Sequence, residues 1–288
     1  MAYADNFIPE VWSKKLMSLS DKIMVMAGLV NRDYEGEIKE AGDTVHVRSF
    51  GDITVRNYTR AQTLTDDTLV DPMSDLVIDQ LKYTSFVVDD VDKAQADINI
   101  MEGYLKRAAY AIKLVVDQFL HAQYANVNAA NVIGSSSLPV TLTKDNIYFY
   151  MTELRKTLKN ANVTGDINVV VDPTREALFL NSPEFIRSTG MGDKTVGEGN
   201  IGKIAGMNIH VSTNLNSSSG NRPILAFTKD FISFARQLTK IETERVPGTF
   251  LTRCKALYVY GAKVFTNSNT TASTAPDKQG ASLWAAGT

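Results

Sequence analysis

"QLKYTSFVVDDVDKAQADINIMEGYLKRAAYAIKLVVDQFL" (residues 80–120) changes its period midway. Its opening belongs to an extended run from Leu76 to Val88. After an acidic knot (Asp89, Asp90, Asp92), apolar residues step by three and four: Ile98, Met101, Leu105, Ala108, Ile112, Val115 and Phe119. That spacing marks one helical face. Asp92 suits an N-cap, and Gln95 stands where a capping box needs it. A helix from Asp92 to Tyr124 would be roughly 50 Å long at ~1.5 Å per residue. Tyr104, Tyr110, Leu114, Val116 and Leu120 add apolar bulk outside the seam, which argues against a lone two-stranded coiled coil. An extended run feeding a long, broadly apolar helix sets up a mixed α+β fold.

Upstream, Val45 and Val47 alternate with polar residues, as do Ile53 and Val55, and period two means strand. "SFGDI" reads as a turn between them. Asn57 to Ser74 is polar, with the Asp66–Asp67 pair and a Pro72 breaker. Two extended arms around a polar tip make a hairpin too narrow to bury a core of its own. Residues 1–30 read as an arm carrying one helix: Pro9 suits the first turn, and Trp12, Leu16, Leu19, Ile23 and Met26 share a face. Gly28 and Asn31 are stop signals. An ordinary domain-packed helix fits that face as well as an arm does. A charged connector, Gly28 to Val47, joins arm to hairpin.

Downstream of the loop "NVNAANVIGSSSLPV" an α/β rhythm begins. Thr143 or Asp145 can cap a helix through Leu158, "INVVVDP" is a buried strand, and "TREALFLNSPEFIRS" is helical up to a Pro183 interruption. A glycine-rich loop (Gly190 to Gly206) precedes the strand "MNIHVST". "ILAFTKDFISFARQ" is mixed, and "TKIETERV" and "FLTRCKALYVYGAKVF" close the fold as strands. Residues 266–288 lack periodicity and read as a flexible or partner-ordered tail.

The 288-residue chain is 44% hydrophobic and 22% charged, enough for one large or two modest domains. Its net charge of −2 gives no bulk attraction to nucleic acid. The N-terminus lacks the basic and apolar regions of a signal peptide, and "IMVMAGLV" is far short of a membrane span. Cys254 is alone, so no intrachain disulfide forms. "GEGNIG" (Gly197 to Gly202) matches GxGxxG formally, but a helical segment precedes it and a strand follows, the reverse of a dinucleotide site. His46, His121 and His210 show no metal spacing, and no local signature supports a Cys/His nucleophile. The Asp89–Asp92 knot fits a helix N-terminus better than a cation cage. Basic pairs (Lys14–Lys15, Lys106–Arg107, Arg155–Lys156) fit solvated faces or salt bridges between subunits. No catalytic residue, cofactor or metal site is expected.

An arm and an unsupported hairpin both need foreign surface, as in a protein that interlocks with its own copies. In that order and spacing the chain resembles the major capsid protein of tailed bacteriophages, with the Hong Kong 97 fold. "FIPEVWSKKLMSLSDKIMVMAGLVNRDYEGEIKEAGDTVHV" resembles the family's N-arm entering its E-loop, and residues 80–120 resemble the loop's return strand and the spine helix. "INVVVDPTREALFL" and "GNIGKIAGMNIHVSTNL" resemble the axial domain. "ISFARQLTKIETERVPGTFLTRCKALYVYGAKVF" resembles the strands that return to the peripheral domain. The resemblance spans residues 5–265.

It implies an N-arm (1–35), an E-loop (36–90), a peripheral domain with the long spine helix (91–142 and 247–265), an axial α/β domain (143–246) and a flexible tail (266–288). It further implies assembly of pentamers and hexamers into an icosahedral shell around double-stranded DNA, held without sequence-specific binding, without a membrane, in the host cytoplasm. Expected partners are other coat copies, a portal protein and a separate scaffolding protein, since the arm begins near Met1 with no scaffolding domain before it. Expected inter-subunit contacts are Trp12, Leu16, Leu19, Ile23, Arg32, Asp33, Glu35, Glu37, Arg56, Arg60, Asp66 and Asp67, with the connector's charges setting register more than affinity. Some relatives weld subunits through an E-loop lysine and a peripheral asparagine. Here no Lys lies between Lys39 and Lys82 and no Asn between Asn221 and Asn267, so no such bond is expected. Gly103 interrupts the spine helix, as a hinge for a helix that straightens when the shell expands or as a site crossed closely by a neighbour. An encapsulin-type nanocompartment shell and a nucleotide-dependent α/β enzyme are the alternative functions.

Overall fold

A computed structural model describes residues 25–34, 44–48, 55–68, 73–90, 100–183, 202–218, 220–264 and 280–286. The elements in order are α1 (Met26–Leu29), β1 (Thr44–Arg48), β2 (Met73–Val77), β3 (Gln80–Asp89), α2 (Ile100–His121), β4 (Val132–Ile133), α3 (Ile147–Asn160), β5 (Asn168–Val171), α4 (Pro173–Leu180), β6 (Lys203–Ile204), β7 (Met207–Val211), β8 (Arg222–Phe227), β9 (Ile232–Arg245), β10 (Leu251–Val264) and β11 (Gly280–Ala285).

A six-stranded mixed sheet, ordered β4-β11-β8-β5-β7-β6, organises the larger half. Strand alternation sends Val169, Val171, Ile224, Ala226, Ala281 and Leu283 to one face and Val170, Leu225 and Phe227 to the other. The first face is covered by α3, whose Ile147, Met151, Leu154 and Leu158 are fully buried at helical spacing, and by Phe179 of α4. The second is covered by α2 and α1. Helices on both faces let the central strands read as continuous apolar runs.

The second sheet is three-stranded, β3-β10-β9, all antiparallel. Its long strands share β10, whose register with β9 shifts at Leu257/Tyr258. The third is the hairpin β1/β2, pairing Thr44 with Val77 through Arg48 with Met73.

Four expectations change. The end of the predicted flexible tail is not a tail: β11 lies between β4 and β8, and Gly280 to Leu283 are buried. Arg175 fixes its end, donating from Nη2 to the Ala286 carbonyl at 2.8 Å while Nη1 pairs with buried Asp172 at 2.5 Å. Strand β9 (Ile232–Arg245) pairs with β10 in one sheet, across the expected boundary at 246/247, and β3, inside the expected E-loop span 36–90, joins the same sheet. The long helix is described from Ile100 and tightens into a 3-10 turn after His121; the Asp92/Gln95 capping box lies outside the described residues. Its core stripe is Ile112, Val116 and Leu120, because steps of four carry the contact past the expected seam and leave Val115 41% exposed. Finally, α3 is entered through Asn146, which makes no side-chain cap bond; its Oδ1 accepts the Thr143 N–H at 2.7 Å, and the Thr143 carbonyl accepts the Ile147 N–H at 3.1 Å.

Candidate functional site

The hairpin has a buried root and a bare tip. At the root, Leu76 and Ile78 pack with Val45, Ala235 and Val259, so the hairpin springs from the β9–β10 sheet of its own chain. Gly261 of β10 makes this fit possible: a Cβ there would stand 2.2 Å from the Val77 carbonyl oxygen. Only glycine lets the backbone of the return strand lie so close. Across the arms, His46 Nδ1 and Asp75 Oδ1 are 2.6 Å apart.

Residues 55–68 run without regular pairing and are almost wholly exposed, so Val55 extends a strand only in sequence. Arg56 ties the two sides together: it pairs with Asp67 and donates to the Thr65 carbonyl at 3.0 Å. The turn between them closes through Gln62 N–H to the Thr59 carbonyl, with Ala61 left-handed at φ 68°. Val55, Tyr58 and Leu64 are 96%, 67% and 74% exposed. Three apolar side chains presented to water on one narrow strip mark an interaction surface more than a stable free loop. Arg60 and Asp66 share that strip, both exposed. Thus two of the expected contact charges, Arg56 and Asp67, shape the tip, while Arg60 and Asp66 face outward.

Strand β3 is the edge of its sheet and turns Leu81, Tyr83 and Val87 to solvent, with Tyr83 78% exposed. A long edge with apolar side chains is a docking template when left open. On α2, Tyr104 is exposed and its ring lies 5.7 Å from Phe86. One residue earlier, a Cβ on Gly103 would meet nothing within 4 Å. Among the described residues, no close crossing explains that glycine.

The arm's root packs within this chain, as the domain-packed alternative expects for its last residues. Met26 and Val30 are 0% and 2% exposed, packed in this chain's own core with Val116, Leu120, Phe234 and Tyr260. Asn31 bridges to Ser233 of β9, and Asp33 is exposed 4.0 Å from Lys229. Arg32 is half-buried. Trp12, Leu16, Leu19, Ile23, Glu35 and Glu37 lie outside the described residues.

Sequence reading missed two buried ionisable groups on α2, one turn apart. Asp117 Oδ1 accepts the Met26 N–H at 2.8 Å. Burial pushes its carboxyl pKa up, opposed by the Met26 N–H, the Asn214 side chain and the N–H groups of Val25 and Ala27. His121 Nδ1 accepts the Asn216 N–H at 3.0 Å. Burial pushes its pKa down to about 4, partly offset by the Pro223 carbonyl. The only sequence signal was a polar residue on an otherwise apolar helix face.

The remaining candidates are dispersed. His46, His121 and His210 sit on separate elements, and His210 is half-buried beside Asn168. Among the described residues no cluster of His, Cys, Asp or Glu could hold a metal ion, and no helix is long and apolar enough to cross a membrane. Asp90 pairs with Arg245 at 2.7 Å, while Asp92 and most of the GxGxxG stretch lie outside the described residues. Arg155 donates to the Ala205 carbonyl and Lys156 pairs with Glu153, so these two basic residues are used within the chain.

The whole shape has solved counterparts. The chain resembles a structure titled Mycobacterium phage Che8 over 98% of each chain, with TM-score 0.78 and 27% identity. It shares its fold with the capsid structure of the cyanophage P-SCSP1u (TM-score 0.76, 16% identity, 99% of this chain and 94% of that one). The same holds for the capsid of Ralstonia phage GP4 (TM-score 0.73, 11% identity, 100% of this chain and 98% of that one). No curated protein matches the chain. The model of a family described as phage capsid protein matches residues 75–274, from the second arm of the hairpin past the end of β10. An α+β fold with a rooted, bare-tipped hairpin and this match together identify a capsid component, and the chain belongs to the phage capsid protein family.

Proposed function

We propose that the chain is the coat subunit of a tailed phage, assembling into pentamers and hexamers that close an icosahedral shell around double-stranded DNA. One observation carries this reading: the hairpin is fixed at Leu76 and Ile78 but exposes Val55, Tyr58 and Leu64 at a tip with no core of its own. A rigid root and an apolar tip suit an E-loop that lies on a neighbouring subunit, with Arg60 and Asp66 setting register there. The β3-β10-β9 sheet with α2 as spine helix takes the role of the peripheral domain. The six-stranded sheet takes that of the axial domain, with β11 added to it. Residues 1–24, with Trp12, Leu16, Leu19 and Ile23, form the part of the N-arm that reaches a neighbour, along with Glu35 and Glu37 of the connector. Gly103 is the hinge of the spine helix. A portal protein and a separate scaffolding protein complete the assembly in the host cytoplasm.

The test is electron microscopy and size-exclusion chromatography of the full chain expressed with and without its phage's other assembly proteins. Closed megadalton shells containing nucleic acid support the reading. Shells holding a co-purifying enzyme would move it to a nanocompartment. A small oligomer under all conditions would overturn it.

A further inference from the structure

We infer that Asp117 is the positioning residue that fixes where the N-terminal arm leaves the subunit. The segment Val25–Tyr34 is a short strut held at two points. At its far end it docks on β9: Asn31 N–H donates to the Ile232 carbonyl at 3.0 Å, and Phe234 N–H donates to the Asn31 carbonyl at 2.8 Å. At its near end it meets Asp117, 91 positions away in sequence. Between them Met26 and Val30, one helical turn apart, press the same face into the core. Two anchors and a buried face leave the backbone direction at Val25 no freedom to swing.

The near anchor is needed because the local sequence supplies none. The N-cap of α1 is Val25, whose side chain has no acceptor, and no side-chain cap bond forms there. The buried Met26 N–H would otherwise be orphaned, at a cost larger than an ordinary hydrogen bond is worth. Asp117 supplies the acceptor from α2. Its Oδ2 is buried, and the Asn214 side chain, which also gives an N–H to the Leu114 carbonyl at 2.9 Å, hydrogen-bonds the carboxyl as well. The carboxylate therefore ties the arm root to α2 and to the segment that carries Asn214. Burying it carries a desolvation cost, shown by the upward push on its pKa. A leucine would fill the same space without that cost, so the acid is retained for what it holds.

The consequence for assembly rests on the shell reading above, while the anchoring itself does not. The experiment compares wild type, Asp117→Asn and Asp117→Leu as full-length subunits, by amide-resolved hydrogen exchange and by particle imaging. Asn keeps an acceptor oxygen at the Oδ1 position; Leu keeps volume and removes the acceptor. In Asp117→Leu, amides 25–27 should exchange roughly tenfold faster or more while those of β8 and α3 stay near wild type. In Asp117→Asn they should remain within about threefold of wild type. Particles of Asp117→Leu should be open or misshapen, and those of Asp117→Asn closed. Exchange at 25–27 that is unchanged in Asp117→Leu, or that rises only in step with β8, overturns the anchor. A selective rise with normal shells overturns its role in assembly. If Asp117→Leu does not fold, Asp117→Asn decides: retained protection supports the acceptor, and a tenfold loss refutes it. Failure of wild type to form shells under any condition would sink the shell reading and leave the exchange result standing.

Discussion

Replacing Gly261 with alanine tests whether the hairpin root is as tightly seated as its geometry says. The added methyl would stand 2.2 Å from the Val77 carbonyl oxygen, 2.9 Å from Ile78 Cα and 3.0 Å from the Val77 carbonyl carbon. All three are backbone atoms, so no rotamer change relieves the clash. Two responses compete. The sheet and root can distort locally, which for overpacked cores costs about 1–3 kcal/mol. Alternatively the root can lift and expose Leu76 and Ile78, now 0% and 1% exposed. Fully burying an aliphatic side chain is worth about 1.5–3 kcal/mol, so lifting both costs roughly 3–6 kcal/mol. Distortion is cheaper and caps the loss. Gly261→Ala should therefore destabilise the subunit by about 1–3 kcal/mol, and at roughly 2–4 °C per kcal/mol its melting temperature should fall by several degrees. Circular dichroism melts of the unassembled subunit measure this, with hydrogen exchange at residues 73–80 reporting where the strain falls. A variant with wild-type melting temperature and wild-type protection at Val77 and Ile78 would refute the close approach.

Gly103→Ala should act in the opposite sense, since its methyl meets nothing within 4 Å and the helix gains about 0.5–1 kcal/mol. If Gly103 is a hinge, the midpoint temperature of shell expansion falls in the variant; an unchanged midpoint with normal assembly removes the hinge. Mature particles boiled in detergent should run as single subunits, because no lysine lies between Lys39 and Lys82 to weld the hairpin to a neighbour; a ladder of covalent multimers would defeat this. Acid should loosen the subunit through His121. Its folded pKa of about 4 lies below the ordinary 6.5, so the unfolded chain binds the extra proton and stability is lost as pH falls from 6.5 towards 4. The full loss is on the order of 3 kcal/mol. Asp117, its pKa raised, works the other way, gaining stability as pH falls. His121→Asn keeps an acceptor near Nδ1 and should flatten the dependence of the urea midpoint between pH 7 and 5; equal slopes in both proteins would count against it. Removing residues 1–24 should leave a folded, assembly-defective subunit, whereas removing 1–30 should also lower its melting temperature; equal stability of the two truncations would show that the root is not part of the core.

The last prediction marks where sequence reading stopped. Trp12, Leu16, Leu19, Ile23 and Met26 form one periodic face, and nothing in the spacing says that its last member belongs to the core of this chain. Periodicity reports which side of an element is apolar; it does not report what lies against it. The same limit shifted the core stripe of α2, where every step of three or four was apolar and only packing against β8 and β9 selects Ile112, Val116 and Leu120. It also hid β11, whose "GASLWA" is too short to show a period after a polar stretch. A strand that completes a sheet between two others gains its stability from those neighbours, not from its own sequence.

Elements whose pattern is local were legible: the buried run at β5, the helical face of α3 and the alternation in β1 all stand where the residues placed them. What was not legible is contact at long separation: Asp117 to Met26, Arg175 to the Ala286 carbonyl, Gly261 beneath Val77. These three hold the arm root, the C-terminal strand and the hairpin root respectively. In each, a residue that is costly or unremarkable locally (a buried acid, a buried arginine, a strand glycine) is explained only by a backbone segment that arrives from elsewhere. If the chain projects an arm and a hairpin onto neighbours, as proposed, it needs such clamps at the points of departure, because the projecting parts cannot stabilise their own orientation. Rigidity at the roots and exposure beyond them are then one requirement: a loop that swung freely would pay the entropy of ordering at every contact in the shell.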